Sequence, residues 1–425
     1  MNKSNSSENI QEIIRDIDNK NFKHVMVQIE TILKNYPNLN LSDWENEIKI
    51  YEKNFNLKLE KFKIYINIGV ILFKLGKINK SVIAFKKSIE NNPNFGLAYN
   101  NLGVSFLELG MFQKASKYFA LALKINKNDL SAQKHLINIF NLVLPENSDN
   151  DTLINLNLKI KNLIKNLNIE DSFINKNIKK ILMESKNLIS NSGQNINFNE
   201  TQIFRKNSKN LNCFRHFKVF NEFNIIPKYC FSCYKIQINL FSIVDLIKLY
   251  FIFDIIHLKN NNMRKCMVET RDQINGNYKG YIYCTGVEEA NHLAKKITIE
   301  MDKINLNDFK ISIKHGCSEF YNSYPEFRNI DKEMRYKEEW SSKEKLIDDR
   351  VPIREEEDKK IWGVYLQGLN LSDILTIFNW INYAHLIGDY SYKEIFEKEI
   401  KPNFLEKILE NQIEYRKNIF NNKLY

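Results

Sequence analysis

The chain has 425 residues, 43% of them apolar, which allows two or three domains with real cores and excludes a wholly disordered polypeptide. A formal net charge of +11 favours acidic partners such as nucleic acid or anionic lipid, although Lys and Asn are abundant throughout. No Gly-rich phosphate loop, Walker motif, dinucleotide fingerprint or HExxH occurs, so the commonest nucleotide-dependent and metalloprotease chemistries find no support.

The opening "MNKSNSSENI" is polar and lacks the apolar core of a secretory signal. The most apolar stretch, "LFSIVDLIKLYFIFDIIHL", is interrupted by Asp245, Lys248 and Asp254, and reads as a buried helix rather than a membrane span. The expectation is a soluble, cytoplasmic chain with no membrane span. Thiols stay reduced there, so closely spaced cysteines suggest metal or redox chemistry before disulfides.

Two segments repeat at an offset of 34 residues, "YINIGVILFKLGKINKSVIAFKKSIENNPN" from Tyr65 and "YNNLGVSFLELGMFQKASKYFALALKINKN" from Tyr99. Gly69 matches Gly103, Gly76 matches Gly110 and Phe85 matches Phe119, while small residues recur at Ser81/Ala115 and Ser88/Ala122. This pattern resembles the tetratricopeptide repeat (TPR). The resemblance implies antiparallel helix pairs stacked into an array, with a groove that takes a peptide or helix of a partner protein. A degenerate copy, "NKNFKHVMVQIETILKNYPN", precedes them, followed by a further helical turn or an insertion in "LNLSDWENEIKIYEKNFNLKLEKF". The groove-facing candidates on the first helix of each unit are Asn67, Lys74, Asn100, Asn101 and Glu108, polar residues between the packing positions.

The array is assigned to residues 1–146, with a helical, Lys-rich linker at 147–205. Residues 206–330 form a Cys-containing domain, and 331–425 a charged linker followed by C-terminal helices. In the third segment, "YKIQINL" alternates as a strand and "SIVDLIKLYFIFDIIHL" has helical spacing. "RKCMVETR" and "YKGYIYC" flank an Asn-Gly turn, "VEEANHLAKKITIEMDKI" is an amphipathic helix, and "KISIKHG" is a fourth strand. The βαββαβ order predicts a ferredoxin-like α+β domain. Its first and third strands are expected to lie parallel at the centre. The start of the first strand and the end of the fourth should then share one end of the sheet. Cys266 and Cys284 are expected at the other end, facing each other as buried, inert thiols.

All six cysteines lie at or beyond Cys213. Cys213-x2-His216 and Cys230-x2-Cys233 supply three sulfurs and an imidazole, the ligand chemistry of a closed tetrahedral zinc site, with iron–sulfur as an alternative cofactor. His315 or Cys317 could replace a ligand or form a reactive Cys–His pair. Cys230 and Cys233 also have a thioredoxin-like spacing, but they precede a strand, so the helix N-terminus that activates such thiols is missing. "YKGYIYCTGVEEANHLAKKI" resembles an RNA recognition motif, whose third-strand aromatics stack on bases. That resemblance places Tyr281 and Tyr283 on an open sheet face, while Gln237 departs from it in the first strand. Ser372 is expected to cap a helix carrying Ile374, Phe378 and Ile381, with Gly388 ending it. The reading is a non-catalytic protein-interaction scaffold with a metal-stapled α+β module. Single-stranded RNA binding, or a thiol- or metal-dependent enzyme, are the alternatives.

Overall fold

The computed structural model describes the chain except residues 1–2, 19–21, 37–38, 57, 146–151, 165–172, 206–212, 272–273, 307, 329–333, 350–365, 399, 401–402 and 423–425. Two compact units result, Met1–Ile139 with Leu144–Asp151, and Phe140–Val143 with Thr152–Tyr425.

The first unit is helical: α1 (Lys3–Asp18), α2 (Phe22–Asn35), α3 (Leu41–Phe55), α4 (Lys61–Lys74), α5 (Ile78–Asn91), α6 (Gly96–Glu108), α7 (Phe112–Ile125) and α8 (Leu130–Ile139). The stretch expected as a further helical turn or an insertion holds the full helix α3. Its start is fixed by the Asp43 carboxylate, which accepts from the Asn40 N–H at 2.8 Å, and its end by Asn56 in the left-handed region at φ 47°. Trp44, Ile48 and Tyr51 of α3 join Ile14, Ile29 and Ile32 in one apolar core.

Farther along, α4 pairs with α5 and α6 with α7. A Cβ added to Gly69 would stand 2.4 Å from the Phe85 ring, and one on Gly103 2.5 Å from the Phe119 ring. The glycine and the aromatic of each unit are thus two halves of one contact. Gly76 and Gly110, at φ 73° and 71°, make the left-handed turn between paired helices.

The second unit holds a five-stranded antiparallel sheet in the order β1-β3-β4-β2-β5. The strands are β1 (Gln202–Arg205), β2 (Tyr234–Leu240), β3 (Arg264–Val268), β4 (Tyr278–Cys284) and β5 (Phe309–His315). The helices are α9 (Thr152–Ile164), α10 (Asn175–Asn191), α11 (Cys213–Phe223), α12 (Ile243–Ile255), α13 (Val287–Lys303), α14 (Ser341–Asp348), α15 (Leu371–Ile387), α16 (Phe404–Leu409) and α17 (Ile413–Asn421). Helices α12 and α13 cover one sheet face. On that side a Cβ at Gly280 would meet Leu249 at 2.4 Å, so the bare glycine lets α12 lie close.

Four expectations need correction. The central strands β2 and β4 are antiparallel, not parallel. The crossover through α12 returns β3 in the direction of β2, and the following hairpin reverses β4. As a consequence Cys284 lies opposite Tyr234, at the end where Cys233 sits, while Cys266 faces Gly280. Both thiols are buried.

The segment 147–205, expected to be a helical linker, contributes the edge strand β1 to the sheet. Arg205 anchors it from a buried position. Its guanidinium donates to Asp373 at 2.7 Å, to the Tyr250 hydroxyl at 2.5 Å, and to Asp254.

Residues 334–349, expected to be part of a solvated charged linker, pack instead. Trp340 is buried, and Glu344 and Asp348, one turn apart on α14, hold Arg215 of α11. The remainder of that charge run, 350–360, lies outside the described residues.

The cap of α15 is Asn370, not Ser372. The Asn370 side chain accepts from the Asp373 N–H at 3.1 Å, and the Asp373 carboxylate accepts from the Asn370 N–H at 3.2 Å. Gly388 ends the helix at φ 83°, as expected.

Candidate functional site

In the first unit, α4 neighbours α6 and α6 neighbours α8, so the first helices of successive repeats run side by side. Asn67, Asn101 and Glu108 are partly exposed there and Lys74 is exposed. Asn100 departs from expectation. It is buried, donates to Ser131 Oγ at 3.3 Å and meets His135 Nδ1 at 3.0 Å, so its amide joins α6 to α8 and is not a groove contact. Position 100 directly precedes position 101, but one residue along a helix turns the side chain by ~100°.

In the second unit, one small cavity is lined by Cys213, His216, Tyr229, Cys230, Cys233, Gly316 and Cys317, with room for about one water-sized occupant. Three parts of the chain meet there. The first turn of α11 brings Cys213 and His216, three residues apart and on one helix face. The 3₁₀ turn Lys228–Ser232 brings Cys230, and the Cys233 N–H donates to the Cys230 carbonyl at 3.2 Å. The end of β5 brings Gly316 and Cys317, because Tyr234 pairs with His315 and the Gly316 N–H donates to the Cys233 carbonyl at 2.8 Å. Glu344 ties two of these parts together. It accepts from the Arg215 guanidinium at 2.5 Å and from the Lys228 N–H at 2.8 Å.

Burial pushes the thiols of Cys213, Cys230 and Cys317 upward, Cys317 to about 12, with the neighbouring sulfurs adding to the effect on Cys230 and Cys317. Burial, reinforced by Arg215, lowers His216 to about 4 against the pull of Glu344 and Asp348. Its ring stacks on Tyr229 with centroids 5.3 Å apart. Thiols raised in this way ionise less readily. The two members of the expected Cys–His pair are held differently. Cys317 lines the cavity, whereas His315 is sandwiched between Tyr234 and Phe327 at 4.4 and 4.7 Å. Among the described residues, no group of three or more His, Cys, Asp or Glu side chains is already arranged to hold a metal. The donor chemistry is nonetheless that of a thiolate-rich zinc site, and all four expected ligands share the cavity wall with Cys317.

The sheet face opposite α12 and α13 is not an open stacking platform. Tyr281 is only 5% exposed, and the ammonium groups of Lys235 and Lys265 each lie 5.4 Å from its ring centroid. Burial lowers Lys265 to about 8, with Lys235 and Arg271 adding to the shift, while Tyr283, farther along β4, keeps partial exposure. Sequence reasoning missed this because the lysines that flank Tyr281 come from the neighbouring strands β2 and β3, through the pairings Lys235↔Tyr283 and Lys265↔Tyr281.

Residues 62–95 and 96–129 each match the tetratricopeptide repeat family, and these 68 residues are two such repeats. The uncharacterised protein ycf37 of Pyropia yezoensis is 27% identical over 115 residues, a match covering 27% of this chain and 57% of that protein. The chain thus spans little more than half the length of this curated relative. Among solved structures, the chain from the functional characterization of Pseudomonas aeruginosa pilF matches at 12% identity and a TM-score of 0.22, covering 45% of this chain and 90% of that one. No helix among the described residues is long and apolar enough to cross a membrane.

Proposed function

We propose that this repeat-bearing chain is a non-catalytic scaffold that holds a segment of a partner protein along the first helices of its repeats. The carrying observation is the adjacent placement of α4, α6 and α8, with Asn67, Lys74, Asn101 and Glu108 at the surface of one continuous row. Asn67 and Asn101 occupy the same repeat position, and paired amides at that spacing suit the backbone of an extended or helical segment. The second unit is read as a ferredoxin-like module stapled by a metal at the cysteine-lined cavity. The strand order β3-β4-β2-β5 supports the first half of that reading, and the shared donor wall supports the second. A reducing compartment such as the cytoplasm suits six free thiols.

The test is quantitative capture of partner proteins by the full chain and by an Asn67→Ala, Asn101→Ala double variant. Two lost hydrogen bonds at about 0.5–1.5 kcal/mol each should weaken capture about tenfold and leave the melting curve unchanged. Equal recovery by both proteins would remove this helix face as the binding surface.

A further inference from the structure

Resting on the metal-staple reading above, we propose that the occupant is a single Zn²⁺ held by the thiolates of Cys213, Cys230, Cys233 and Cys317. His216 stands beside the ion and not on it. Five donors line the cavity, and a closed tetrahedral site takes four. Four sulfurs around a space of about one water suit a single tetrahedral ion.

The choice between Cys317 and His216 follows from how each is held. Cys317 is set by the sheet. The register of β5 on β2 carries Gly316 against Cys233, where an added Cβ would stand 3.0 Å from the Cys233 sulfur. A side chain at 316 would crowd that sulfur, and the bond from the Gly316 N–H to the Cys233 carbonyl places the next residue at the cavity. The His216 ring is already engaged by its stack on Tyr229. Its neighbour Arg215 is clamped by Asp348 at 2.7 and 2.8 Å. Four sulfurs on the same wall already make up a closed tetrahedral set, so the ion has no need of the His216 nitrogen. Glu344, by bridging Arg215 and Lys228, also joins the α11 wall of the cavity to the 3₁₀ turn. Closing a tetrahedron with Zn–S distances of about 2.3 Å then asks for rotation of thiol side chains. Zn²⁺ displaces the four thiol protons as it binds. The product is a latch joining α11, the 3₁₀ turn and the end of β5, three segments spread over about a hundred residues of chain.

The full chain, purified under reducing conditions, should contain about one zinc per molecule and take up Co²⁺ with the intense sulfur charge-transfer absorption of four thiolates. Cys317→Ser should weaken zinc binding by more than ~100-fold, beyond the cost of losing an outer-shell partner. His216→Ala should change it by less than about tenfold and leave the Co²⁺ spectrum unaltered. Retained zinc in Cys317→Ser together with loss in His216→Ala overturns the ligand set while the metal reading stands. A folded wild-type chain that holds no zinc and gives no Co²⁺ spectrum overturns the metal reading itself. Should Cys317→Ser fail to fold, the Co²⁺ spectrum of the wild type decides, since three thiolates absorb less strongly than four.

Discussion

The two units reach stability by different physics. Among the described residues, the buried polar side chains of the repeat unit are all uncharged: Ser81, Ser88, Asn100, Ser105, Ser116 and Gln133. Its helices close by shape, glycine against phenylalanine, and its contacts join neighbours in sequence. The second unit buries charge. Arg205 meets Asp254 and Asp373, and Glu269 meets Lys279 at 2.9 Å. The guanidinium of Arg416 donates to the carbonyls of Ile274, at 2.8 Å, and Arg271. Arg205 and Arg416 draw together pieces of chain that alternation and periodicity treat separately: the edge strand β1 with α15, and the loop after β3 with α17. Repetition can specify a fold through apolar spacing alone. A fold assembled from dispersed segments uses buried ionic groups, each costly to strand without its partner.

The sharpest way to break this contrast is Arg205→Ala. It leaves Asp254 and Asp373 buried without their cation and should cost about 3–5 kcal/mol. Hydrogen exchange should show β1, α12 and α15 opening, with amides of α4–α7 unchanged. Uniform loss of protection over both units would contradict two separately stabilised bodies.

Acid should act on the same side of the comparison. Burial pushes the Glu269 carboxyl up, but Arg271 and Lys279 more than reverse this and hold it at about 2, below its usual 4.5. A depressed carboxylate contributes stability fully present above about pH 4.5 and lost as pH falls toward about 2. The size is on the order of 3 kcal/mol. Denaturant midpoints recorded between those pH values should fall for the second unit. They should fall less steeply in Glu269→Gln, and an unchanged slope in that variant would assign the acid lability elsewhere.

The smallest expected effect lies on the other side. Gly103→Ala puts a methyl group where the Phe119 ring already is, and overpacking of this kind costs about 1–3 kcal/mol. Melting followed by a probe in α6 or α7 should shift downward while the second unit keeps its midpoint. A neutral outcome would mean that the ring can move aside, and that shape is less demanding here than the glycine contact implies.

Much of the local structure was legible. Strands 234–240 and 278–284 have the bounds that alternation assigns, and α13 ends within one residue of the amphipathic segment. The repeats were legible because each contact recurs at a fixed spacing. Strand β1 was not: four residues of "QIFR" are too short for a period-two signal, and their pairing is decided by β3 and by Arg205. The cap is Asn370, two positions before the expected Ser372, because the reciprocal bond with Asp373 forms only once the backbone turns there.

The sequence by itself determined the helix pairs, the strand segments and the grouping of cysteines near residue 213 and residue 230, because spacing along a chain encodes which side chains share a face. Tertiary structure alone decided what lies across from those faces. It buried Asn100 against α8, covered Tyr281, and moved Cys284 to the end of the sheet that holds Cys233. Each of those outcomes depends on strand direction and on the packing of segments distant in sequence, which no local period records.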